Sequence, residues 1–260
     1  MSTKADFSDL TTRAISAVVM LIVAGYALIQ GGAIFNALIT VAAGLMTWEV
    51  SRMHDDTKGL SVLSGLIVSI VVFATVFPVG LPPLALLGVQ LVIAMLVAVA
   101  HNGKMFIVFS AVLVVIMATT ALAGFRQNEG LTLTLWLLLC VIASDVGGYF
   151  AGKMIGGPKL WARISPKKTW SGTIGGWALA FIVGLLFVWI AGQTSWLAPV
   201  SILVAIAAQS GDLAESALKR HAGIKDSSNL IPGHGGLLDR FDGVLGVCFL
   251  IFIAGITGIL

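Results

Sequence analysis

Carboxylates and lysines at helical spacing, set at the ends of long apolar runs, suit the handling of phosphates with a divalent cation. In "QSGDLAESALKR", Gln209, Asp212, Glu215 or Ser216, and Lys219 recur every three to four residues and so share one helical face. Charge facing lipid at mid-bilayer costs about 2.5–3.5 kcal/mol per residue, so such a stripe must face protein or water. Gly211 beside Asp212 permits another backbone to come close. The alternative is a frayed helix end whose polar residues reach the cytoplasm. In "KDSSNLIPGHGGLLDRFDG", Pro232-Gly233 and Gly235-Gly236 flank His234, so the backbone there can turn sharply and approach a ligand. Asp239 and Asp242 follow, three residues apart at the start of an apolar run. Their mutual repulsion is relieved if Mg²⁺ lies between them and other oxygens. The competing account is that both simply cap a helix and favour its dipole. His234 reads as structural or substrate-contacting rather than as a metal ligand.

Two further clusters stand out. "GGPKLWARISPKKTWSG" places Lys167 and Lys168 after Ser165-Pro166, read as a tight turn presenting two cations and the Thr169 hydroxyl to phosphates. It lacks the glycine spacing of a Walker loop. Ordinary positive-inside charge with interfacial Trp would also account for it. Asp145, deep in the apolar "IASDVGGYFAGK", is a functional candidate by position, with Tyr149 and Lys153 near its face. A buried structural Asp–Lys pair is the other reading. Gly148 and Gly152 form a small-xxx-small pair suited to helix packing. His54, Asp55, Asp56, Arg126 and Glu129 read as solvated loop.

The elements that must carry these residues are membrane helices. The 260 residues are 58% hydrophobic and 10% charged, with mean hydropathy +1.03, against about 25% charged in soluble domains. The apolar runs are continuous, which excludes the alternation of a membrane barrel. The fold class is therefore an all-α, polytopic helix bundle. About nine spans are expected, roughly 14–30, 33–49, 60–78, 84–100, 105–123, 131–152, 172–192, 197–218 and 243–260. Breakers separate them, including a polar loop Ser51–Gly59, Val79–Pro83, Phe125–Gly130 and a basic loop 153–171. N-terminal transmembrane helices are expected over 1–130 and a catalytic region over 131–260. No cleavable signal is expected, because the first run is too long for one. Cys140 and Cys248 read as buried small hydrophobes. With the N-terminus in the cytoplasm, every Lys and Arg except Arg126 lies inside, Lys4 included. That asymmetry sets the chemistry at the cytoplasmic face.

The stretch "GDLAESALKRHAGIKDSSNLIPGHGGLLDRFDG" closely resembles the signature of phosphatidate cytidylyltransferases, the CDP-diacylglycerol synthases. The matching positions are Ser216, Lys219-Arg220, Lys225-Asp226, His234-Gly235-Gly236 and Asp239-Arg240-Phe241-Asp242. "ISPKKTWSG" and "SDVGGYFAGK" are also similar. The likeness is sharp over about 143–243 and only a hydropathy likeness before that. It departs at Gly243, where the family often has Ser, and at Gly148, where it often has Ala. The resemblance implies that CTP and phosphatidic acid give CDP-diacylglycerol and pyrophosphate, with Mg²⁺, in a membrane homodimer. The expected place is the inner membrane, with the site facing the cytoplasm on the lysine and arginine distribution. No nucleic-acid partner is expected. The resemblance and the carboxylate argument together assign Asp212 and Asp239 to the metal. Asp242 and Asp145 would serve the outer shell or a second cation. Lys219, Arg220, Lys225, Lys167 and Lys168 would neutralise phosphates, with Ser216 and Arg240 at the substrates. Gly233, Gly235 and Gly236 would bring backbone amides close. A related CTP-using lipid enzyme, such as a polyprenol kinase or an archaeal-type lipid cytidylyltransferase, and a transporter with intramembrane Asp residues as ion sites remain as alternatives.

Overall fold

The computed structural model describes residues 7–54, 57–77, 82–101 and 103–257. Lys4, Asp55, Asp56, residues 79–81 and the end of the last expected span, 258–260, lie outside the described residues. The chain runs α1 (Phe7–Gln30), α2 (Gly32–His54), α3 (Lys58–Val76), α4 (Pro83–Val99), α5 (Met105–Asn128), α6 (Gly130–Ile155), β1 (Lys159–Trp161), β2 (Ser165–Thr169), α7 (Trp170–Ile190), α8 (Leu197–His221) and α9 (Leu238–Ile256). It is a polytopic membrane helix bundle. Among the described residues, seven helices are long and apolar enough to cross a membrane. Of the other two, α4 has 17 residues and α9 carries Asp239, Arg240 and Asp242 near its start.

Each expected span corresponds to a helix, but the polar ends differ. The expected loop from Ser51 is helical through His54, because Ser51 finds a buried partner: its Oγ lies 2.7 Å from His101 Nε2. Likewise α5 continues through Arg126, which is no solvated loop residue. Its guanidinium donates to the Leu28 carbonyl at 2.9 Å and the Ile29 carbonyl at 3.3 Å, satisfying the last turn of α1. The basic loop contains a β-hairpin in which Lys159 pairs with Thr169 and Trp161 with Ser165. The turn is therefore at Ala162–Ile164, not at Ser165-Pro166, and Lys167 and Lys168 project from a strand.

Two apolar cores share α9. One packs α2 to α5 against Leu238, Leu245 and Cys248; the other packs α6, α7 and α8 against Val247. Cys140 and Cys248 are buried free thiols, one in each core. Around them lies an exposed apolar belt, including Ile15, Leu21, Ile22 and Ile29 of α1. Such a surface is unfavourable in water and neutral against lipid tails.

Candidate active site

Close backbone approach sets the site. At the crossing of α8 and α9, a Cβ on Gly211 would collide with the Asp242 carbonyl and the Gly246 backbone, and one on Gly246 would collide with Gly211 and the Ala207 carbonyl. Glycine at both positions lets the helices touch, and this brings Asp212 beside Asp242. On the other side, α6 and α7 meet along Gly147, Gly148, Gly152, Gly172 and Gly175. That contact holds Asp145 and the hairpin against α8. Both departures from the family pattern fall at close helix contacts. At Gly148 a Cβ would stand 3.4 Å from the Gly172 carbonyl, and at Gly243 one would stand 3.0 Å from Val141 Cγ1.

Three carboxylates lie within electrostatic reach of one another here. Asp212 is within electrostatic reach of both Asp145 and Asp242, and Lys168 and Arg240 are within reach of Asp145. Asp212 Oδ2 forms an ion pair with Lys168 of β2, and its Oδ1 accepts from Ser216 Oγ at 3.3 Å. The stripe expected on α8 thus divides. Gln209 faces α6 and α7, donating to Ser144 Oγ at 3.1 Å and accepting from Trp177 Nε1 at 3.0 Å. Asp212 faces the hairpin, with Ser216 donating to it, while Glu215 and Lys219 turn to α9.

A second acidic group forms there. Lys219 Nζ lies 2.6 Å from Glu215 Oε2 and 2.6 Å from Asp239 Oδ1. The other Asp239 oxygen accepts from Ser227 N and Ser227 Oγ at 2.9 Å and from Gly236 N at 2.8 Å. The Asp239 side chain is 4% exposed and Lys219 12%. Asp239 is therefore saturated with donors, and the Lys219 charge is met by two carboxylates.

Among the described residues, no three His, Cys, Asp or Glu side chains converge tightly enough to hold an ion unaided. A hard cation needs only one or two carboxylates when substrate phosphates and water complete its shell. Asp212, Asp242 and Asp145 fit that requirement. Asp239, expected in the ligand set, has both oxygens engaged by protein donors.

Two cavities open on either side of this junction. An apolar one of about 730 Å³ lies between α5, α8 and α9, with Gly211, Glu215 and Asp242 at its polar end. Leu203, Ile206, Leu250 and Ile253 on its wall are exposed to the surroundings of the bundle. A smaller one of about 330 Å³ is lined by Asp145, Lys153, Lys167, Lys168, Thr169 and Asp212. Tyr149 joins this lining, as its spacing from Asp145 and Lys153 suggests.

The remaining expected residues lie around the junction. His234 is not directed at the three carboxylates: its Nδ1 lies 2.9 Å from Ser16 Oγ of α1, which also reaches the Pro232 carbonyl at 2.9 Å. Gly233 and Gly235 adopt positive φ, +75° and +86°, and shape the turn. Arg220 is exposed and donates to the Ile224 carbonyl at 3.1 Å; Lys225 and Arg240 are exposed. Sequence reasoning missed Glu49. It is fully buried on α2, and its carboxylate accepts from Ser228 Oγ at 2.6 Å, Leu237 N at 2.8 Å and Leu238 N at 2.7 Å. The available signal was a lone acid inside an apolar span, the same one that singled out Asp145.

The cytidylyltransferase family model matches residues 11–256. A phosphatidate cytidylyltransferase of Bacillus subtilis (strain 168) is 32% identical over 265 residues, covering 94% of this chain and 97% of its own length. One from Brucella suis biovar 1 (strain 1330) is 46% identical over 139 residues, 52% of each chain. One from Staphylococcus aureus (strain COL) is 44% identical over 130 residues, 49% of this chain and 50% of its own. The Brucella and Staphylococcus matches thus span about half the length of those relatives, whereas the Bacillus match is nearly end to end.

Proposed function

Because this chain belongs to the cytidylyltransferase family, we propose that it transfers a cytidylyl group from CTP to phosphatidic acid, giving CDP-diacylglycerol and pyrophosphate. The observation that carries this reading is a pair of cavities on neighbouring faces of α8, an apolar one lined by Gly211 and Asp242 and a lysine-lined one lined by Asp212. The acyl chains of phosphatidate occupy the apolar cavity, entered from the bilayer past Leu203 and Leu250. The triphosphate of CTP occupies the charged one, among Lys153, Lys167 and Lys168. The two phosphates meet over the backbone contact of Gly211 and Gly246.

The reaction is an in-line displacement. A phosphate oxygen of phosphatidate forms a bond to the α-phosphorus of CTP, and the bond from that phosphorus to the α–β bridging oxygen breaks. Pyrophosphate leaves with the electron pair. Such transfers depend on positioning and charge neutralisation more than on covalent help from protein. Lys167 and Lys168 neutralise and orient the triphosphate. Lys168, which pairs with Asp212, would turn to the triphosphate and leave that carboxylate for Mg²⁺. Mg²⁺ held by Asp212, with Asp242 and Asp145 beside it, would neutralise developing charge and polarise the α-phosphate. The Asp239 group keeps the start of α9 in register.

The site is taken to face the cytoplasm of an inner membrane, on the strength of the lysine and arginine distribution, and the chain to act as a homodimer, on the resemblance. A cysteine at Lys168 should react with an impermeant thiol reagent only from the cytoplasmic side, and more slowly with CTP present. The reaction itself is tested by label. With phosphatidic acid and α-³²P CTP, label should enter the lipid phase, while γ-label should leave as pyrophosphate. Entry of γ-label into lipid would identify a kinase and overturn the assignment.

A further inference from the structure

Glu49 stands apart from both acidic groups. It lies on α2, fully buried, and among the described residues no Lys or Arg pairs with it. A buried carboxylate without a cation is costly unless hydrogen bonds compensate it. Here the compensation comes from the segment that leads into α9. Oε1 takes Ser228 Oγ and Leu237 N, and Oε2 takes Leu238 N. Leu237 and Leu238 stand at the start of α9, where amides lack helical partners and the dipole favours an anion. Ser228 Oγ in turn accepts from Leu230 N at 3.1 Å, so the hold extends along the loop.

The partners of Glu49 interleave with those of Asp239. Asp239 holds Ser227 and Gly236; Glu49 holds the next residue in each case, Ser228 and Leu237. Two carboxylates thus pin both ends of the loop carrying Pro232–Gly235. They also account for Gly236, where a Cβ would collide with Ser227 Oγ and with Glu49 Oε1. From this frame α9 departs toward Asp242.

We infer that Glu49 is a positioning residue: it clamps the loop 227–238 to α2 and thereby sets where α9 places Asp239 and Asp242. It touches neither substrate cavity, so it acts through those residues. As a statement about catalysis this rests on the proposed cytidylyl transfer; as a statement about the clamp it does not.

The test uses full-length protein in lipid–detergent micelles, with Glu49→Gln, Glu49→Asp and Ser228→Ala. Glu49→Gln replaces one acceptor oxygen by a donor. Hydrogen exchange of peptides covering 227–238 should accelerate about tenfold, while peptides of α6 and α7 keep their wild-type rates. For the folded fraction, kcat should fall about 30–100-fold, with the KM for CTP within about threefold of wild type. Glu49→Asp, which keeps the charge, should recover part of kcat. A merely stabilising role would lower the folded fraction without separating kcat from KM. Unchanged exchange at 227–238 overturns the clamp, as does acceleration spread equally over α6 and α7. Exchange that accelerates with kcat unchanged overturns the positioning role. If Glu49→Gln does not fold, Ser228→Ala decides: severalfold faster exchange and lower kcat support the inference, and wild-type values contradict it. Should wild-type protein transfer no cytidylyl group, the proposed function fails, and the exchange result still decides the clamp.

Discussion

Asp212 and Asp239 look equivalent in the sequence, each an acid with glycine and a basic residue nearby at an end of an apolar run, yet their surroundings differ in kind. Asp239 is closed in: a lysine and three neutral donor groups satisfy its oxygens, and it is almost inaccessible. Asp212 stands at the edge of a cavity, with about a quarter of its side chain exposed, one lysine partner, and two further carboxylates within reach. A saturated carboxylate holds backbone in place. A clustered, incompletely compensated one is suited to take a cation and give up its present partner. The distinction is one of accounting for donors and acceptors, and it separates scaffold from chemistry within a few residues.

Removing each carboxylate should therefore fail differently. Asp212→Asn should lower turnover by about a thousandfold or more while leaving thermal stability in detergent within about 1 kcal/mol of wild type. Asp239→Asn should instead destabilise the fold by about 3 kcal/mol, because it breaks a buried pair and reverses one acceptor, and calorimetric or fluorescence melting will read it. A variant at Asp239 with wild-type melting would erase the contrast.

The contrast extends to the cavities. Lys168→Ala should raise the KM for CTP about tenfold and leave the dependence on phosphatidate nearly unchanged, since it removes one charge-assisted contact from the charged side only. Ile206→Trp, which narrows the apolar cavity at its wall, should raise the apparent KM for long-chain phosphatidate about threefold with CTP unaffected. Steady-state kinetics with each substrate varied in turn separates the two. Equal sensitivity of both substrates to either change would mean that the cavities do not divide the substrates.

The spans were readable because a continuous apolar run has one stable form in lipid, the helix. Their ends were not, because a polar residue ends a helix only if it lacks a partner there, and partners come from elsewhere. Ser51 stays helical through His101, and Arg126 through the α1 carbonyls it caps. The same limit applied to the site. Spacing on α8 placed Asp212 and Ser216 together, a local relation. It could not show that Lys168 crosses from the hairpin to Asp212, that Lys219 is occupied by Glu215 and Asp239, or that Asp145 and Asp242 gather with Asp212. Glu49 is the extreme case, since its partners lie more than 170 positions away along the chain. The Pro166 turn failed for a related reason: proline also suits a short edge strand, and pairing with β1 decides between them.

The most direct test of the two-carboxylate account is binding of Mn²⁺ together with CTP, followed by electron paramagnetic resonance on wild-type, Asp212→Asn and Asp239→Asn proteins in micelles. The account predicts at least about tenfold weaker Mn²⁺ binding in Asp212→Asn and binding within about threefold of wild type in the folded fraction of Asp239→Asn. Loss of the ion from Asp239→Asn with retention in Asp212→Asn would contradict it.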